Sequence, residues 1–154
     1  MSQIVVRVYG LLLDEQQQVL VSDEYIRGNY YTKFPGGGLE FGEGLREGLI
    51  REFKEEMNLA IDVLEHIYTT DFFQRSAFNP AHQILSVYYK VKALEPIRVP
   101  LRTTPFEFDP AQLEIYNKTL QTESFRFIQW NNFSAEQLSL PIDKVVAELI
   151  KSGS

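Results

Sequence analysis

The sequence predicts an α/β fold in a single domain, because β-type segments surround one strongly amphipathic helical segment. A length of 154 residues with 44% apolar residues suits one domain with a sizeable core, which we assign to residues 1–154. Segments rich in Val, Ile, Leu and Tyr indicate strands before and after the helix. The helix is predicted by apolar residues at i, i+4 spacing, which are Leu45, Leu49, Phe53 and Met57.

Three strands are expected before the helix. Residues 4–13 form a mostly buried strand, interrupted by a charge at Arg7, and residues 19–24 form the next strand. A polar turn joins these two segments, so we expect them to pair as a hairpin. Residues 30–34 then form a short strand that leads into an irregular loop, in which Pro35 is followed by three glycines.

The helix is expected over residues 44–57, with Ile50 beside its apolar stripe. The opposite side carries three carboxylates within an arc of about 100° on a helical wheel. They belong to Glu52, Glu55 and Glu56. Such close carboxylates repel one another unless a cation lies between them, and their hard oxygens suit Mg²⁺ or Mn²⁺. The pattern therefore predicts a divalent metal site on this helix.

Two further residues of the helix are expected to support that site. Arg51 stands beside the glutamates and is expected to neutralise and orient them. Gly48 projects to the same side, where its missing side chain lets the preceding loop approach closely. A glycine in the middle of a helix costs about 1 kcal/mol relative to alanine, which favours a structural reason for its presence.

The second half of the chain is expected to return to strands. Residues 61–73 form one strand or two, residues 83–94 form another, and residues 125–130 form the last. Residues 95–123 are interrupted by prolines and contain a short helix that begins at an N-cap, Asp109. A connection of this length is typical of a lid or a binding loop.

The C-terminal segment is expected to be helical. Ser134 begins a capping-box pattern that ends at Gln137, and Pro141 opens the final helix. Four apolar residues are expected on the buried side of that helix, namely Val145, Val146, Leu149 and Ile150.

The overall composition excludes several classes of protein. A net charge of −6 argues against broad electrostatic binding to nucleic acid or to an anionic membrane, so an anionic ligand needs a local positive site. The absence of cysteine excludes disulfides and thiolate metal sites. No uncharged apolar run reaches the length of a membrane span, and no signal peptide is recognisable, so we expect a cytoplasmic protein.

One segment combines the glycines, the acidic helix and its end in a fixed spacing. The residues that carry this pattern are Gly37, Glu43, Arg51, Glu52, Phe53, Glu55, Glu56 and Leu59. The pattern resembles the box of the Nudix hydrolase family, G-x5-E-x7-R-E-U-x-E-E-x-G-U, where U is bulky and apolar. The one departure is Asn58, where the family has glycine. Asparagine accepts the left-handed conformation more readily than most residues, so the helix should still end there.

The resemblance implies a fold, a reaction and a set of site residues. The implied fold is an α/β/α sandwich with a mixed, curved β-sheet. The implied reaction is hydrolysis of a phosphoanhydride, with divalent metal, in a nucleoside diphosphate linked to another group. The implied metal ligands are Glu52, Glu55, Glu56 and a backbone carbonyl, best matched by Gly36. The implied catalytic residues add Arg51 and Glu43 to these glutamates, and the expected substrate contacts are Arg27, Gly37 and Gly38.

Several alternatives stay open at this point. A general base outside the box could be Glu107, Glu114 or Glu123. The substrate could be ADP-ribose, a nucleotide sugar or a nucleoside triphosphate, with the long 95–123 connection favouring the larger ones. Many relatives are homodimers, so a homodimer is also a possible assembly of this chain. The alternative functions are a nucleotide-metabolite sensor without hydrolysis, and an isomerase or scaffold of the same fold.

Overall fold

The computed structural model describes residues 1–153 and has an α/β fold, which confirms the predicted fold class. The strands are β1 (Gln3–Leu12), β2 (Gln18–Ile26), β3 (Asn29–Lys33), β4 (Gly36–Gly38), β5 (Ile61–Thr69), β6 (His82–Ala93), β7 (Leu101–Arg102) and β8 (Gln121–Gln129). The helices are α1 (Leu45–Met57), α2 (Pro110–Thr119) and α3 (Pro141–Ser152). Within residues 1–153, none of the helices is long and apolar enough to cross a membrane.

The chain forms two compact units, each with one four-stranded sheet of mixed strand direction. The first unit comprises Met1–Leu12 and Pro35–Arg98, and the second comprises Leu13–Phe34 and the segment from Val99 onward. The strand order is β4-β1-β6-β5 in the first unit and β3-β2-β8-β7 in the second. The mixed strand directions expected for one sheet are therefore found in two sheets.

The pairing of the first strand differs from the sequence-based expectation. β1 runs parallel to β6 along its whole length and antiparallel to the short β4. The predicted hairpin between β1 and β2 is wrong, since only an isolated bridge joins Leu13 to Val19. A polar turn in the sequence predicts only that the chain reverses locally. The pairing of β1 depends instead on β6, an equally apolar strand that follows much later in the chain.

Helix α1 is held by a narrow apolar stripe and ends where the sequence predicts. Leu49, Phe53 and Met57 are buried, but Ile50 is exposed, which corrects its expected place beside the stripe. One residue advances the helix by about 100°, so Ile50 is turned away from the face that Leu49 buries. Asn58 ends α1 in the left-handed conformation, with φ 50° and ψ 41°, as expected for a replacement of glycine.

The second unit confirms the helix predicted within the long connection. The side chain of Asp109 accepts a hydrogen bond from the backbone N–H of Gln112 at 2.8 Å, and α2 follows directly. The side chain of Gln112 in turn accepts from the backbone N–H of Asp109 at 2.9 Å. The lid role of residues 95–123 stays a prediction.

Helix α3 begins at Pro141 as predicted but buries a different face. Its buried residues are Ile142, Asp143, Val146 and Ala147. Leu149 was expected to face inward, yet it is exposed. The buried stripe includes Asp143, whose carboxylate accepts from the backbone N–H of Phe34 at 3.3 Å, so a polar contact shifts the face that apolar periodicity alone would choose. The capping-box pattern at Ser134 opens a 3₁₀ turn, Ala135–Gln137.

Candidate active site

The glycine-rich segment is a strand at the edge of the first unit's sheet, which corrects the expected irregular loop. Gly36–Gly38 pair with β1 in an antiparallel ladder, with Gly37 opposite Val8. Gly36 has φ 148°, and a Cβ atom there would lie 2.1 Å from the carbonyl oxygen of Val8. Only glycine fits at this position, because any side chain would collide with the backbone of β1.

The second glycine makes room for the first carboxylate of α1. A Cβ atom on Gly37 would lie 2.6 Å from Oε2 of Glu52 and 2.8 Å from its Oε1. The carboxylate of Glu52 therefore lies directly against the backbone of β4, and its side chain is only 12% exposed. Burial of a carboxylate at such a place requires compensating charge or hydrogen bonds.

Arg51 supplies that compensation at the centre of a network of carboxylates. Its Nη2 donates to Oε1 of Glu43 at 2.6 Å and to the carbonyl oxygen of Gly38 at 2.9 Å. Its Nη1 donates to Glu52 at 3.0 Å and to Glu55 at 3.1 Å. The expectation that Arg51 neutralises and orients the neighbouring glutamates is confirmed. The chemical origin is the planar guanidinium fork, which can serve several acceptors at once.

The charges of this network shift each other's protonation. Hydrogen bonds from Arg51 lower the pKa of the Glu43 carboxyl, with a further contribution from the backbone N–H of Glu40. The carboxylates of Glu43 and Glu52 raise the pKa of the Arg51 guanidinium in turn. Glu43 is therefore an anion, and Arg51 a cation, throughout the physiological pH range.

The loop that precedes α1 comes close to the helix at Gly48, as expected. A Cβ atom on Gly48 would lie 2.8 Å from Cδ1 of Leu39 and 2.9 Å from Oε1 of Glu43. The missing side chain thus lets the Glu43 carboxylate reach Arg51 across the helix surface. Glu47 accepts a hydrogen bond from the backbone N–H of Gly44 at 2.8 Å and so caps the helix.

The proposed metal ligands are present on one helix but are not preassembled. Within residues 1–153, no group of three or more acidic or histidine side chains is arranged to hold a metal ion as it stands. Arg51 occupies the space that a cation would share, because it is bonded to both Glu52 and Glu55. The Glu55 side chain is 58% exposed, and Glu56 is half-buried one residue further along.

The donor set nevertheless fits a hard divalent cation. The carboxylate of Glu52 lies against β4, where Gly37 lacks the side chain that would fill the space. In an antiparallel ladder, alternate residues turn their carbonyls away from the partner strand. The hydrogen bonds from Gly10 N–H to Pro35 O and from Leu39 N–H to Val6 O direct the Gly36 carbonyl away from β1. The metal-binding roles of Gly36, Glu52, Glu55 and Glu56 stay predictions that this arrangement allows.

Other expected site residues lie in the second unit. Arg27 is exposed in the turn between β2 and β3, where it adopts a left-handed conformation with φ 47°. Glu107 and Glu114 are both exposed, and Glu114 forms an ion pair with Lys118 at 3.5 Å. A hydrogen bond from Thr104 lowers the pKa of Glu107. The expected roles of Arg27, Glu107 and Glu114 stay predictions.

Glu123, the third candidate base, has a distinct environment within the second unit. It lies opposite Glu24 in the pairing of β2 with β8, and Ser22 Oγ donates to its Oε2 at 2.9 Å. Lys33 forms a buried ion pair with Glu24 at 3.0 Å. Burial first, and then the adjacent charge of Glu24, raise the pKa of Glu123 to about 7. Sequence reasoning named Glu123 but missed its partners, because neither is near it in the chain.

The aromatic residues in and next to the strands divide between core and surface. Tyr88 and Tyr89 are buried in β6, whereas Phe72 and Phe73 are exposed in the loop after β5. In the second unit, Tyr30 stacks on Tyr25 with ring centroids 4.5 Å apart.

Arg7 lies close to the expected site residues, although the sequence pattern did not place it among them. It lies opposite Gly38 in the pairing of β1 with β4, beside the glycines of the site. The available signal was the charge itself, because a lone arginine within a run of apolar strand residues is unusual unless it has a partner or a role.

A match to a family model identifies the chain as a pyrophosphohydrolase. A family model described as the NUDIX domain matches residues 3–142, so the chain belongs to the Nudix family of hydrolases, which act on small-molecule nucleotides with divalent metal.

Solved structures share the fold at low sequence identity. A MutT protein from Methanosarcina mazei Go1 is 14% identical, with a TM-score of 0.67, over 99% of this chain and 96% of its own. A NUDIX hydrolase from Nitrosomonas europaea is 15% identical, with a TM-score of 0.66, over 98% and 90%. An ADP-ribose pyrophosphatase from Streptococcus suis is 16% identical, with a TM-score of 0.53, over 97% and 92%.

Proposed function

We propose that this protein hydrolyses a phosphoanhydride bond in a nucleoside diphosphate linked to another group, with Mg²⁺ or Mn²⁺. The observation that carries the proposal is the Arg51 network, which gathers Glu43, Glu52 and Glu55 beside the side-chain-free strand β4. Such a concentration of carboxylates beside bare backbone suits a cation and a phosphate chain that lie against the same strand.

The metal would be held by Glu52, Glu55 and Glu56 together with the carbonyl oxygen of Gly36. A divalent cation bound there supplies charge neutralisation for phosphate oxygens and lowers the pKa of an attacking water. Arg51 holds Glu52 and Glu55 in a common orientation before the ligand arrives.

Glu43 has a supporting role in the proposal. Its carboxylate accepts from Arg51 at 2.6 Å and from the backbone N–H of Glu40 at 2.9 Å, so its position is fixed from two sides. It would hold the guanidinium in place and add negative charge beside the metal. The backbone of Gly37 and Gly38 would approach the phosphates closely, because neither carries a side chain.

The substrate proposal favours ADP-ribose or a nucleotide sugar over a nucleoside triphosphate. Support comes from the long 95–123 connection, which could cover a larger substrate, and from the structural likeness to a protein described as an ADP-ribose pyrophosphatase. Arg27 would contact a phosphate of the substrate. We also propose that residues 1–154 act as one catalytic domain, that the enzyme is a homodimer, and that it works in the cytoplasm.

The test compares Glu56→Gln with a matched control, Glu65→Gln. Glu65 is an exposed carboxylate of the same unit, 4.0 Å from Lys90 and outside the acidic network. We expect wild type and Glu65→Gln to hydrolyse a panel of ADP-ribose, nucleotide sugars and nucleoside triphosphates in the presence of Mg²⁺. Glu56→Gln should lose roughly 100-fold or more in kcat, because loss of a ligand weakens metal binding.

Product chromatography identifies the substrate, and titration with Mn²⁺ followed by electron paramagnetic resonance measures metal binding without turnover. Circular dichroism melting shows whether each variant folds. Undiminished turnover and Mn²⁺ binding in a folded Glu56→Gln variant would contradict the assigned metal role. Nucleotide binding by wild type without any product would instead support the sensor alternative.

A further inference from the structure

A cavity of about 470 Å³ opens in the second unit, where β2 begins and β8 ends. Its volume lies within the range of roughly 300–1,000 Å³ that is typical of small-molecule sites. Gln18 and Gln129 are opposite each other in the pairing of these two strands. The lining of this amide cavity consists of uncharged residues, namely Gln16, Gln17, Gln18, Gln129, Trp130 and Asn131.

The lining decides which class of ligand the amide cavity can take. All of its side chains except Trp130 are amides, and each amide offers hydrogen-bond donors as well as acceptors. Trp130 adds an apolar ring surface and one N–H donor. Among residues 1–153, a phosphate or a metal ion would meet no charged side chain in this lining, and a purely apolar ligand would leave the amides unpaired. A neutral ligand with many hydroxyl groups and a few C–H groups satisfies both parts of the lining.

The amides on the β2 side are held in a fixed orientation by Asp14. Its carboxylate accepts from the side-chain Nε2 of Gln18 at 2.9 Å, and from the backbone N–H groups of Gln16 and Gln18 at 2.9 and 2.8 Å. Nε2 of Gln18 also donates to Oε1 of Gln16 at 3.0 Å. Because an ionised carboxylate only accepts, the amide nitrogen of Gln18 must point to Asp14. The amide oxygen of Gln18 and the amide nitrogen of Gln16 can then serve a ligand as an acceptor and a donor.

The ring of Trp130 is held by two neighbouring side chains. Nζ of Lys151 lies 4.5 Å from the ring centroid and donates to the backbone carbonyl of Trp130 at 2.6 Å. The ring of Phe133 is nearly parallel to the indole, with centroids 6.1 Å apart. The backbone N–H of Trp130 donates to the carbonyl of Gln17 at 3.2 Å, which joins the two segments of the lining. Trp130 is half-buried, so part of it is open to a ligand, and groups held in this way lose little conformational entropy on binding.

We propose that the amide cavity binds a neutral sugar. The hydroxyl groups of the sugar, each both a donor and an acceptor, pair with the amides of Gln18 and Gln129. Its C–H groups lie against the open part of the Trp130 ring, because the negative face of an aromatic ring attracts them. This site goes beyond the proposed hydrolysis, since all of its residues belong to the second unit, whereas the acidic network around Arg51 belongs to the first.

The experiment uses Trp130 as the reporter. It is the single tryptophan of the chain, so its fluorescence reports directly on the amide cavity. Wild type is titrated with ribose, glucose and maltose, and with glycerol at equal concentrations as the control for solvent effects. We expect a saturable change with a Kd on the order of 1–10 mM for one sugar ring, from the binding efficiency per heavy atom that is typical of small ligands. Maltose binds more tightly than glucose if the natural ligand is the end of a glycan, and no more tightly if it is a free sugar.

The variant Gln129→Ala is compared with a matched control, Gln121→Ala. Gln121 is an exposed glutamine at the opposite end of the same strand. Gln129→Ala should raise the Kd about three- to tenfold, because a hydrogen-bond partner of the sugar is lost, and Gln121→Ala should leave it unchanged within about twofold. The side-chain amide signals of Gln18 and Gln129 in nuclear magnetic resonance spectra give a second readout of binding. The melting temperature of each variant confirms folding.

The possible results separate clearly. A saturable change in wild type that is weakened in Gln129→Ala and kept in Gln121→Ala supports the sugar site. Absence of any saturable change in fluorescence and in amide signals up to about 100 mM sugar, ten times the upper expected Kd, would overturn it. Equal affinities in the two variants, or a change that glycerol reproduces, would overturn it as well. Saturable binding of a proline-rich peptide, without binding of any sugar, would assign the amide cavity to a protein partner instead.

Discussion

Replacement of Glu123 by glutamine should make the protein more stable at alkaline pH and nearly unchanged in stability at acid pH. The Glu123 carboxyl lies opposite Glu24 and accepts from Ser22, and its pKa is raised from 4.5 to about 7 by burial and by the adjacent carboxylate. The folded state therefore favours the protonated acid, which can donate a hydrogen bond to the Glu24 carboxylate. Glutamine offers a similar donor at every pH.

The sign of the effect follows from proton linkage. An acid whose pKa is higher in the folded state contributes full stability below its unfolded pKa, and that contribution falls as the pH rises through the folded pKa. For Glu123 the decline begins near pH 4.5 and continues past pH 7. With those two pKa values, wild type loses about 2 kcal/mol by pH 6 and about 3 kcal/mol by pH 8 from this group. Glu123→Gln should not lose this stability, because glutamine does not ionise.

The assay is urea unfolding of wild type and Glu123→Gln at several pH values from 5 to 8.5. The variant should be more stable by about 3 kcal/mol at pH 8, and the difference should shrink to within about 1 kcal/mol at pH 5. The control is Glu114→Gln, which removes the same charge from an exposed helix position paired with Lys118. A stability difference that is independent of pH, or that grows toward acid pH, would refute the assignment of a raised pKa to Glu123.

Two further predictions concern the acidic network. Arg51→Met should lower the free energy of unfolding by about 2–4 kcal/mol at pH 7, because it leaves the largely buried carboxylates of Glu43 and Glu52 without their cation. The difference in stability between wild type and Arg51→Met should become smaller in melts below about pH 4. The lowered pKa of Glu43 means that its ionised carboxylate stabilises the wild-type fold at higher pH, and this contribution is lost as the carboxyl protonates. Gly37→Ala should destabilise by about 1–3 kcal/mol and weaken Mn²⁺ binding, because its Cβ would displace the Glu52 carboxylate. The control is Gly38→Ala, which should change the free energy of unfolding by less than about 1 kcal/mol in the same thermal melts, because the nearest atom to its new Cβ is 3.9 Å away. Equal losses of stability in Gly37→Ala and Gly38→Ala would contradict this packing argument.

Local features of the fold were predictable because their causes lie within a few residues of each other. The apolar stripe of α1, the cap at Asp109 and the left-handed end at Asn58 all depend on contacts one helical turn apart. The link between Arg51 and its glutamates was also predictable, because it is largely made on one helix. The role of Gly48 was predictable for the same reason, because a missing side chain on that face of α1 leaves room for the loop that directly precedes the helix.

Strand partners and sheet assignment were not predictable, because they depend on segments distant in the chain. The polar turn before Val19 indicated a hairpin, but β1 found its partners in β4 and β6. The inward face of α3 was misjudged at Leu149 because a buried carboxylate, Asp143, shares the stripe with apolar residues. Apolar periodicity cannot predict a buried polar contact with the backbone of a distant segment.

The amino-acid order alone thus determined the helices, their ends and the acidic helix face that identifies the reaction class. Tertiary structure decided which charges meet across strands. It brought Ser22 within hydrogen-bond distance of Glu123 over a separation of 101 positions, and it put Arg7 opposite Gly38. The physical reason is that helical contacts recur at a fixed short spacing, whereas strand pairing is set by the competition of all apolar segments for burial.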